Sequence, residues 1–144
     1  MKIYLDMCCF NRPYDDQSSM TISLETTAKL MIQGLVKDGR LVLIWSFMLD
    51  YENQANPNVA NQTEIFEWRK EAGSIVKLDN SILENAKQLH QLGLHQKDAL
   101  HIAAADNAGA QRFITVDKGI LRKSNEIALI KTCSPIEFIA ELEE

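Results

Sequence analysis

Residues 2–6 read Lys2-Ile3-Tyr4-Leu5-Asp6, and this segment sets the architecture expected for the rest of the chain. Its β-branched, aromatic and leucine side chains predict a short buried strand that ends at a carboxylate. The segment Arg112-Phe113-Ile114-Thr115-Val116-Asp117 repeats the arrangement late in the sequence. Two strands are therefore expected to place an aspartate, Asp6 or Asp117, at their carboxyl ends.

Strands and helices alternate between and beyond these two segments. The spacing of apolar residues predicts helices over 21–37, 62–72 and 120–124, helices opening near Ser81, Asp98 and Ser134, and further strands over 40–45, 74–78 and 127–132. Parallel strands need crossover connections, and these are usually helical. We therefore expect one three-layer α/β/α domain over residues 1–144, with a central parallel sheet of five strands.

Two of the helix starts carry the pattern of a capping box. Ser81 is followed three residues later by Glu84, and Ser134 by Glu137, with a proline at the first helical position of the second helix. Both patterns predict where a helix begins and carry no functional information.

Two more acids fall near helix starts. Glu52 follows the strand over 40–45 by a few residues, and Asp98 opens an alanine-rich helix. Ligand sites in open α/β sheets lie beyond the carboxyl ends of the strands. The acids expected to face one crevice are therefore Asp6, Glu52, Asp98 and Asp117. Asp50 is the main alternative to Glu52.

Such a cluster predicts a divalent metal. Carboxylates that converge repel one another unless a cation compensates their charge, and Mg²⁺ and Mn²⁺ prefer oxygen ligands. A bound ion of this kind activates water for phosphodiester hydrolysis. Ser46 and Thr115 are candidates for hydrogen bonds that hold Glu52 and Asp117, although either residue could simply end a strand.

Charge and composition narrow the class of protein. The net charge of −5 argues against a protein that grips nucleic acid through a broad positive surface, but it does not exclude a nuclease, because local cations such as Arg12 can contact phosphate. The three histidines match no zinc-hydrolase pattern, and His101 is interpreted as a packing residue. Three cysteines predict no disulfide framework. With no long apolar run and an early carboxylate at Asp6, a cytoplasmic protein is expected, with no membrane partner.

Taken together, four segments resemble those of PIN-domain ribonucleases, close to the VapC-type toxins of bacterial toxin–antitoxin pairs. The matching segments are Ile3-Tyr4-Leu5-Asp6, Ser46-Phe47-Met48-Leu49-Asp50-Tyr51-Glu52, Asp98-Ala99-Leu100-His101-Ile102-Ala103-Ala104-Ala105 and Phe113-Ile114-Thr115-Val116-Asp117. The resemblance implies a Mg²⁺- or Mn²⁺-dependent endoribonuclease that cuts single-stranded RNA. It also implies a homodimer, and an antitoxin whose tail enters the acidic groove. The metal-binding set would be Asp6, Glu52, Asp98 and Asp117.

The chain also departs from the family pattern. Gly119 stands where the family frequently has another acid, which leaves the occupancy of a second metal position open. The segment 8–13 differs from the most familiar toxins, although Asn11 remains a candidate for orienting a ligand or phosphate near Asp6. The alternative hypothesis is a non-catalytic PIN-like module that binds RNA or a protein partner.

Overall fold

A single sheet of five parallel strands lies at the centre of the molecule. The computed structural model describes residues 1–144, and its strands are β1 (Lys2–Leu5), β2 (Val42–Ser46), β3 (Ser74–Val76), β4 (Arg112–Ile114) and β5 (Lys131–Cys133). Their order across the sheet is β3-β2-β1-β4-β5. The predicted five-stranded parallel sheet is confirmed, and β1 occupies its centre.

The register brings the ends of the central strands to one edge. Tyr4 of β1 lies opposite Ile44 of β2 on one side and Phe113 of β4 on the other. The Asp6 amide continues the ladder by donating to the Ile114 carbonyl at 2.9 Å. Side chains that follow β1, β2 and β4 therefore emerge close to one another.

Eight helices surround the sheet. They are α1 (Met7–Asn11), α2 (Met20–Lys37), α3 (Phe47–Gln54), α4 (Val59–Lys70), α5 (Asn80–Gln91), α6 (Gln96–Asn107), α7 (Lys118–Leu121) and α8 (Pro135–Leu142). The crossover through α2 and the crossover through α5 and α6 run in opposite directions across the sheet. Because such connections are right-handed, these helices cover opposite faces. With α8 packed on α2 and α5 on α6, the predicted three layers are present.

Aromatic side chains fill the middle of the core. Tyr4 stacks on Phe113 with ring centroids 5.3 Å apart, and Phe10 meets Trp45 edge-on at 5.4 Å. All four side chains are essentially inaccessible to solvent. The central strand and the helix that follows it are thus fixed from both faces of the sheet. No helix has the length and apolar character needed to cross a membrane.

The sequence predicts no bounds for the short helices α1 and α3, and each is capped by a residue at the carboxyl end of a strand. Asp6 caps α1 and Ser46 caps α3, each through its side-chain oxygen. The 21–37 helix is confirmed as α2, whereas the 62–72 helix begins earlier, at Val59, because Asn58 accepts a hydrogen bond from the amide of Asn61.

The two predicted capping boxes have different outcomes. The box at Ser134 is confirmed, with both reciprocal hydrogen bonds to Glu137 present. The box at Ser81 is wrong, because Asp79 is extended and accepts from the amide of Ile82, so that α5 begins at Asn80. Aspartate and serine are both good caps, and the one with the extended backbone conformation takes the position.

Three predicted strands are longer than the observed ones. The expected strand over 127–132 is replaced by Lys131–Cys133, and those over 74–78 and 112–116 each shorten to three residues. The reason is pairing: β5 meets β4 only from Arg112 to Ile114. Ile127 and Ile130 are buried although neither lies in a strand. Their apolar side chains therefore give the sequence the pattern of a strand that does not form.

We expect Phe138→Ala to destabilise the fold by about 3–5 kcal/mol, the usual loss for removing a buried aromatic ring. Phe138 is fully buried and anchors α8, whereas Ile136 in the same helix is 41% exposed. Urea unfolding followed by circular dichroism measures the loss. Ile136→Ala is the matched control and should stay within about 1 kcal/mol of wild type. Equal losses in the two variants would contradict this packing.

Candidate metal centre

Asp6 is the most firmly held acid of the predicted cluster. Its side chain is almost fully buried at the end of β1. Oδ1 accepts from the Met7 amide at 2.9 Å, while Oδ2 accepts from the Thr115 hydroxyl at 2.8 Å and from the Cys8 thiol at 3.4 Å. A carboxylate has about four acceptor positions, so these three donors orient Asp6 and leave room for one more ligand.

Asp117 is tied to Asp6 through Thr115. The Asp117 amide donates to the Thr115 hydroxyl at 3.0 Å, and the Asp117 Oδ1 accepts from the Ile120 amide at 3.2 Å as the cap of α7. Thr115 was predicted to hold the Asp117 side chain. The structure places its hydroxyl against the Asp117 backbone and the Asp6 carboxylate instead.

Asp98 completes a group of three interacting aspartates. It lies in the first turn of α6, where the helix dipole favours a negative charge. Burial, followed by the charges of Asp6 and Asp117, nevertheless raises the pKa of Asp98 to about 6. The charges of Asp6 and Asp117 therefore act on Asp98, and a bound cation would offset both this repulsion and the effect of burial.

Glu52 approaches the same group from the other side. It lies in the second turn of α3, and its Oε1 is hydrogen-bonded to Nε2 of His101. Burial opposes ionisation of Glu52, but the hydrogen bond from His101 and its charge outweigh burial and lower the pKa of Glu52.

Asp50, the alternative to Glu52, is engaged elsewhere. Its Oδ1 accepts from the Trp45 indole at 2.8 Å and lies 3.3 Å from Nε of Arg69. These contacts hold the carboxylate against β2 and α4. The structure therefore groups Glu52, rather than Asp50, with the other acids.

His101 is the site residue that the sequence analysis missed. It is fully buried, as a packing residue would be, yet Nε2 bonds Glu52 and lies 3.8 Å from Oδ1 of Asp6. Burial disfavours its charged form, but the hydrogen bond to Glu52 and the charge of Asp6 raise the pKa of His101. The sequence places His101 three residues after Asp98, and this spacing puts the two side chains next to each other on one face of a helix. That spacing is the feature of the sequence that marks His101 as a neighbour of the site.

The donor set fits a hard divalent cation. One ligand atom from each of Asp6, Glu52 and His101 lies within 4.8 Å of the other two. Asp98 and Asp117 add negative charge and more oxygen atoms at the same edge. Mg²⁺ and Mn²⁺ favour such oxygen-rich sites. Of the four predicted ligands, the structure brings Asp6 and Glu52 within reach of one ion, with His101 beside them.

The remaining predicted site residues lie around this centre. The Ser46 hydroxyl bonds Tyr4 and the amides of α3, without touching Glu52. Asn11 and Glu52 both line a hollow of about 430 Å³. The Arg12 guanidinium is already paired with Asp15 at 3.0 Å and Glu25 at 2.9 Å.

Comparison with known proteins identifies the fold. No family model matches the sequence, and no curated protein matches it. Solved structures do, among them VapBC2 from Rickettsia felis bound to a promoter DNA fragment (15% identity, TM-score 0.57, covering 93% of this chain and 98% of that one), and VapBC-1 from nontypeable Haemophilus influenzae (14%, 0.56, 94% and 98%). The chain has a PIN-like fold. The resemblance seen in the sequence motifs is thus confirmed at the level of the fold.

We expect Asp98→Asn to stabilise the metal-free protein at pH 8 by about 1–2 kcal/mol, after allowance for solvent screening of a partly exposed group. The folded pKa of about 6 lies above the ordinary value of 3.8, so the carboxyl favours folding at low pH and loses that contribution as pH rises through 6. The difference between variant and wild type should therefore vanish near roughly pH 4.

Urea unfolding in chelator at several pH values measures this difference. Glu84→Gln is the matched control, since it removes one charge from an exposed carboxylate on α5. An Asp98→Asn variant that is no more stable than wild type at pH 8 would show that burial and the neighbouring aspartates do not disfavour the charged form of Asp98.

Proposed function

We propose that the chain is a Mg²⁺- or Mn²⁺-dependent endoribonuclease that hydrolyses phosphodiester bonds of single-stranded RNA. The observation that carries the proposal is the convergence of acidic side chains at the carboxyl edge of a PIN-like sheet. Ligand atoms of Asp6 and Glu52 lie within 4.8 Å of each other, and the charges of Asp6 and Asp117 add to burial in raising the pKa of Asp98. Helix capping accounts for Asp6 and Asp117 one at a time, but it gives no reason to gather Glu52 and Asp98 beside them. Binding a divalent cation against a phosphate does.

Each residue of the site would have a distinct role. Asp6, Glu52, Asp98 and Asp117 would hold the ion, which supplies positive charge at the scissile phosphate and lowers the pKa of water. Thr115 would keep the Asp6 carboxylate oriented through its 2.8 Å hydrogen bond. Asp6 and Asp117 also cap α1 and α7, so their positions are fixed before any ligand binds.

Local cations, rather than the overall charge, would contact the RNA. Lys97 precedes Asp98 in α6 and contributes to lowering the pKa of Glu52, while the exposed Lys118 follows Asp117. We propose that both contact phosphate. Asn11 shares a hollow with Glu52, which supports a role beside the substrate. The pairing of Arg12 with Asp15 and Glu25 means that any phosphate contact by Arg12 would compete with these carboxylates.

We further propose that the chain is the toxin of a toxin–antitoxin pair and acts as a homodimer in the cytoplasm. Both similar structures are VapBC proteins, which supports an antitoxin partner. A stripe of apolar side chains on α2 supports a dimer: Met20, Leu24 and Met31 are at least half exposed along one side of the helix. Burying such a stripe against a second copy would be favourable. Free cysteines at positions 8, 9 and 133 fit a reducing compartment.

The alternative, a non-catalytic PIN-like module, is favoured by one feature. At Gly119 the chain offers no side-chain ligand, and a Cβ built there would lie 3.0 Å from Oδ1 of Asp117. If one metal position lacks a ligand, binding could persist without efficient cleavage. A cleavage assay separates the two functions.

We expect Glu52→Gln to reduce Mn²⁺-dependent cleavage of a defined single-stranded RNA by at least about 100-fold, because the loss of even an indirect partner of a metal site costs about 10–100-fold. Asp50→Asn is the matched control. It removes an acid two residues away that is bound to Trp45 and Arg69, so cleavage should be retained while stability falls.

Product formation on labelled RNA, with single-stranded DNA and chelator as comparisons, measures both variants. Loss of cleavage in Asp50→Asn with retention in Glu52→Gln would reverse the assignment. Wild-type protein that binds RNA but does not cut it with Mn²⁺ or Mg²⁺ would favour the non-catalytic module.

A further inference from the structure

A buried chain of hydrogen bonds runs from β2 to the candidate metal centre. The Ser46 hydroxyl bonds the Tyr4 hydroxyl at 2.6 Å, and the Tyr4 hydroxyl bonds Nδ1 of His101 at 2.6 Å. Nε2 of His101 then bonds Glu52. Ser46, Tyr4 and His101 are all inaccessible to solvent. Water therefore cannot substitute for any partner, and each hydrogen atom must be assigned within the chain.

Counting donors and acceptors shows which atom donates in each of these hydrogen bonds. The Ser46 oxygen already accepts from the amides of Met48 at 3.2 Å and Leu49 at 3.4 Å, so its hydroxyl donates to Tyr4. When the ring is neutral, the Tyr4 hydroxyl then donates to Nδ1 of His101. An imidazole that accepts at Nδ1 carries its hydrogen on Nε2, which faces Glu52. Nε2 also carries a hydrogen when the ring is charged, so it donates to Glu52 in either state.

This direction leaves one oxygen of Glu52 available. Oε1 accepts from Nε2 of His101, while Oε2 has no hydrogen-bond partner elsewhere in the protein. The same imidazole lies 3.8 Å from Oδ1 of Asp6. His101 therefore lies between two acids from different segments: Asp6, which follows β1, and Glu52 of α3. Its own position is set by Tyr4, which is stacked on Phe113.

We propose that His101 is a positioning residue, oriented by Tyr4 and Ser46, that donates from Nε2 to Glu52 and so presents the free Glu52 oxygen to the divalent ion. This inference rests on the proposed function, because it assigns His101 a role toward the same ion. It excludes His101 as a ligand, since a nitrogen that carries a hydrogen has no lone pair for a metal.

His101→Leu and His101→Gln form the decisive pair of variants. Leucine fills a similar volume without a donor, whereas the glutamine amide can place an N–H near the position of Nε2. We expect the leucine variant to bind Mn²⁺ about 10–100-fold more weakly than wild type, and the glutamine variant to recover most of that loss. Isothermal titration calorimetry measures the affinities, and thermal unfolding in chelator reports the stability of each variant. His90→Leu, which removes a histidine outside the centre, should bind like wild type.

Two spectroscopic measurements test which nitrogen of His101 carries hydrogen and whether either one binds the ion. In the metal-free protein, long-range ¹H–¹⁵N spectra should show hydrogen on Nε2 of His101. With Mn²⁺ bound, pulsed electron paramagnetic resonance should show no directly coordinated imidazole nitrogen. A neutral ring with hydrogen on Nδ1, or a coordinated nitrogen that disappears in His101→Gln, would overturn the proposal by making His101 a ligand.

Tyr4→Phe provides a second route if His101→Leu does not fold. It keeps the ring on Phe113 and removes only the hydroxyl, and it should weaken Mn²⁺ binding by less than the leucine variant. Unchanged affinity in both His101→Leu and Tyr4→Phe would overturn this inference while the proposed function stands. Wild-type protein that binds no Mn²⁺ would contradict the proposed function and this inference together.

Discussion

The central constraint on the structure is the repulsion among carboxylates that a parallel sheet brings to one edge. With β1 at the centre and β2 and β4 beside it, residues that follow these strands cannot avoid one another. Burial at this edge, together with the charges of Asp6 and Asp117, raises the pKa of Asp98 to about 6. The folded state must therefore keep like charges close together. The contacts around the acids show which groups stabilise this arrangement.

The acids are held by donors that also build the fold. Asp6 and Asp117 cap helices, so the backbone amides that stabilise α1 and α7 also stabilise the carboxylates. Thr115 connects the two acids, and His101 connects Asp6 with Glu52. The site is consequently preorganised by short-range contacts, and a divalent ion would remove the repulsion that remains.

Much of this arrangement could be predicted from sequence. The strand patterns at Lys2–Leu5 and Arg112–Ile114 are regular, and each leads to an aspartate, so the sheet and its acidic edge followed from periodicity and from the rule that strand ends face a common crevice. The choice of Glu52 over Asp50 came from family spacing. The structure supports that choice by engaging Asp50 with Trp45 and Arg69.

The features that could not be predicted from the sequence depend on contacts between distant segments. The role of His101 requires Tyr4 and Glu52, which lie 97 and 49 residues away in the chain. The competition between Asp79 and Ser81 for the start of α5 was decided by backbone conformation. The length of β5 was set by its partner strand, because burial alone extends the predicted strand back to Ile127.

The most direct measurement is a crystal structure of the protein soaked in Mn²⁺, with anomalous diffraction data. The account predicts an anomalous peak at the carboxyl edge of β1, with oxygen atoms of Asp6 and at least one of Glu52, Asp98 and Asp117 at about 2.0–2.3 Å from the ion. Saturating Mn²⁺ that leaves this edge without a peak, or that binds only elsewhere on the molecule, would contradict the account.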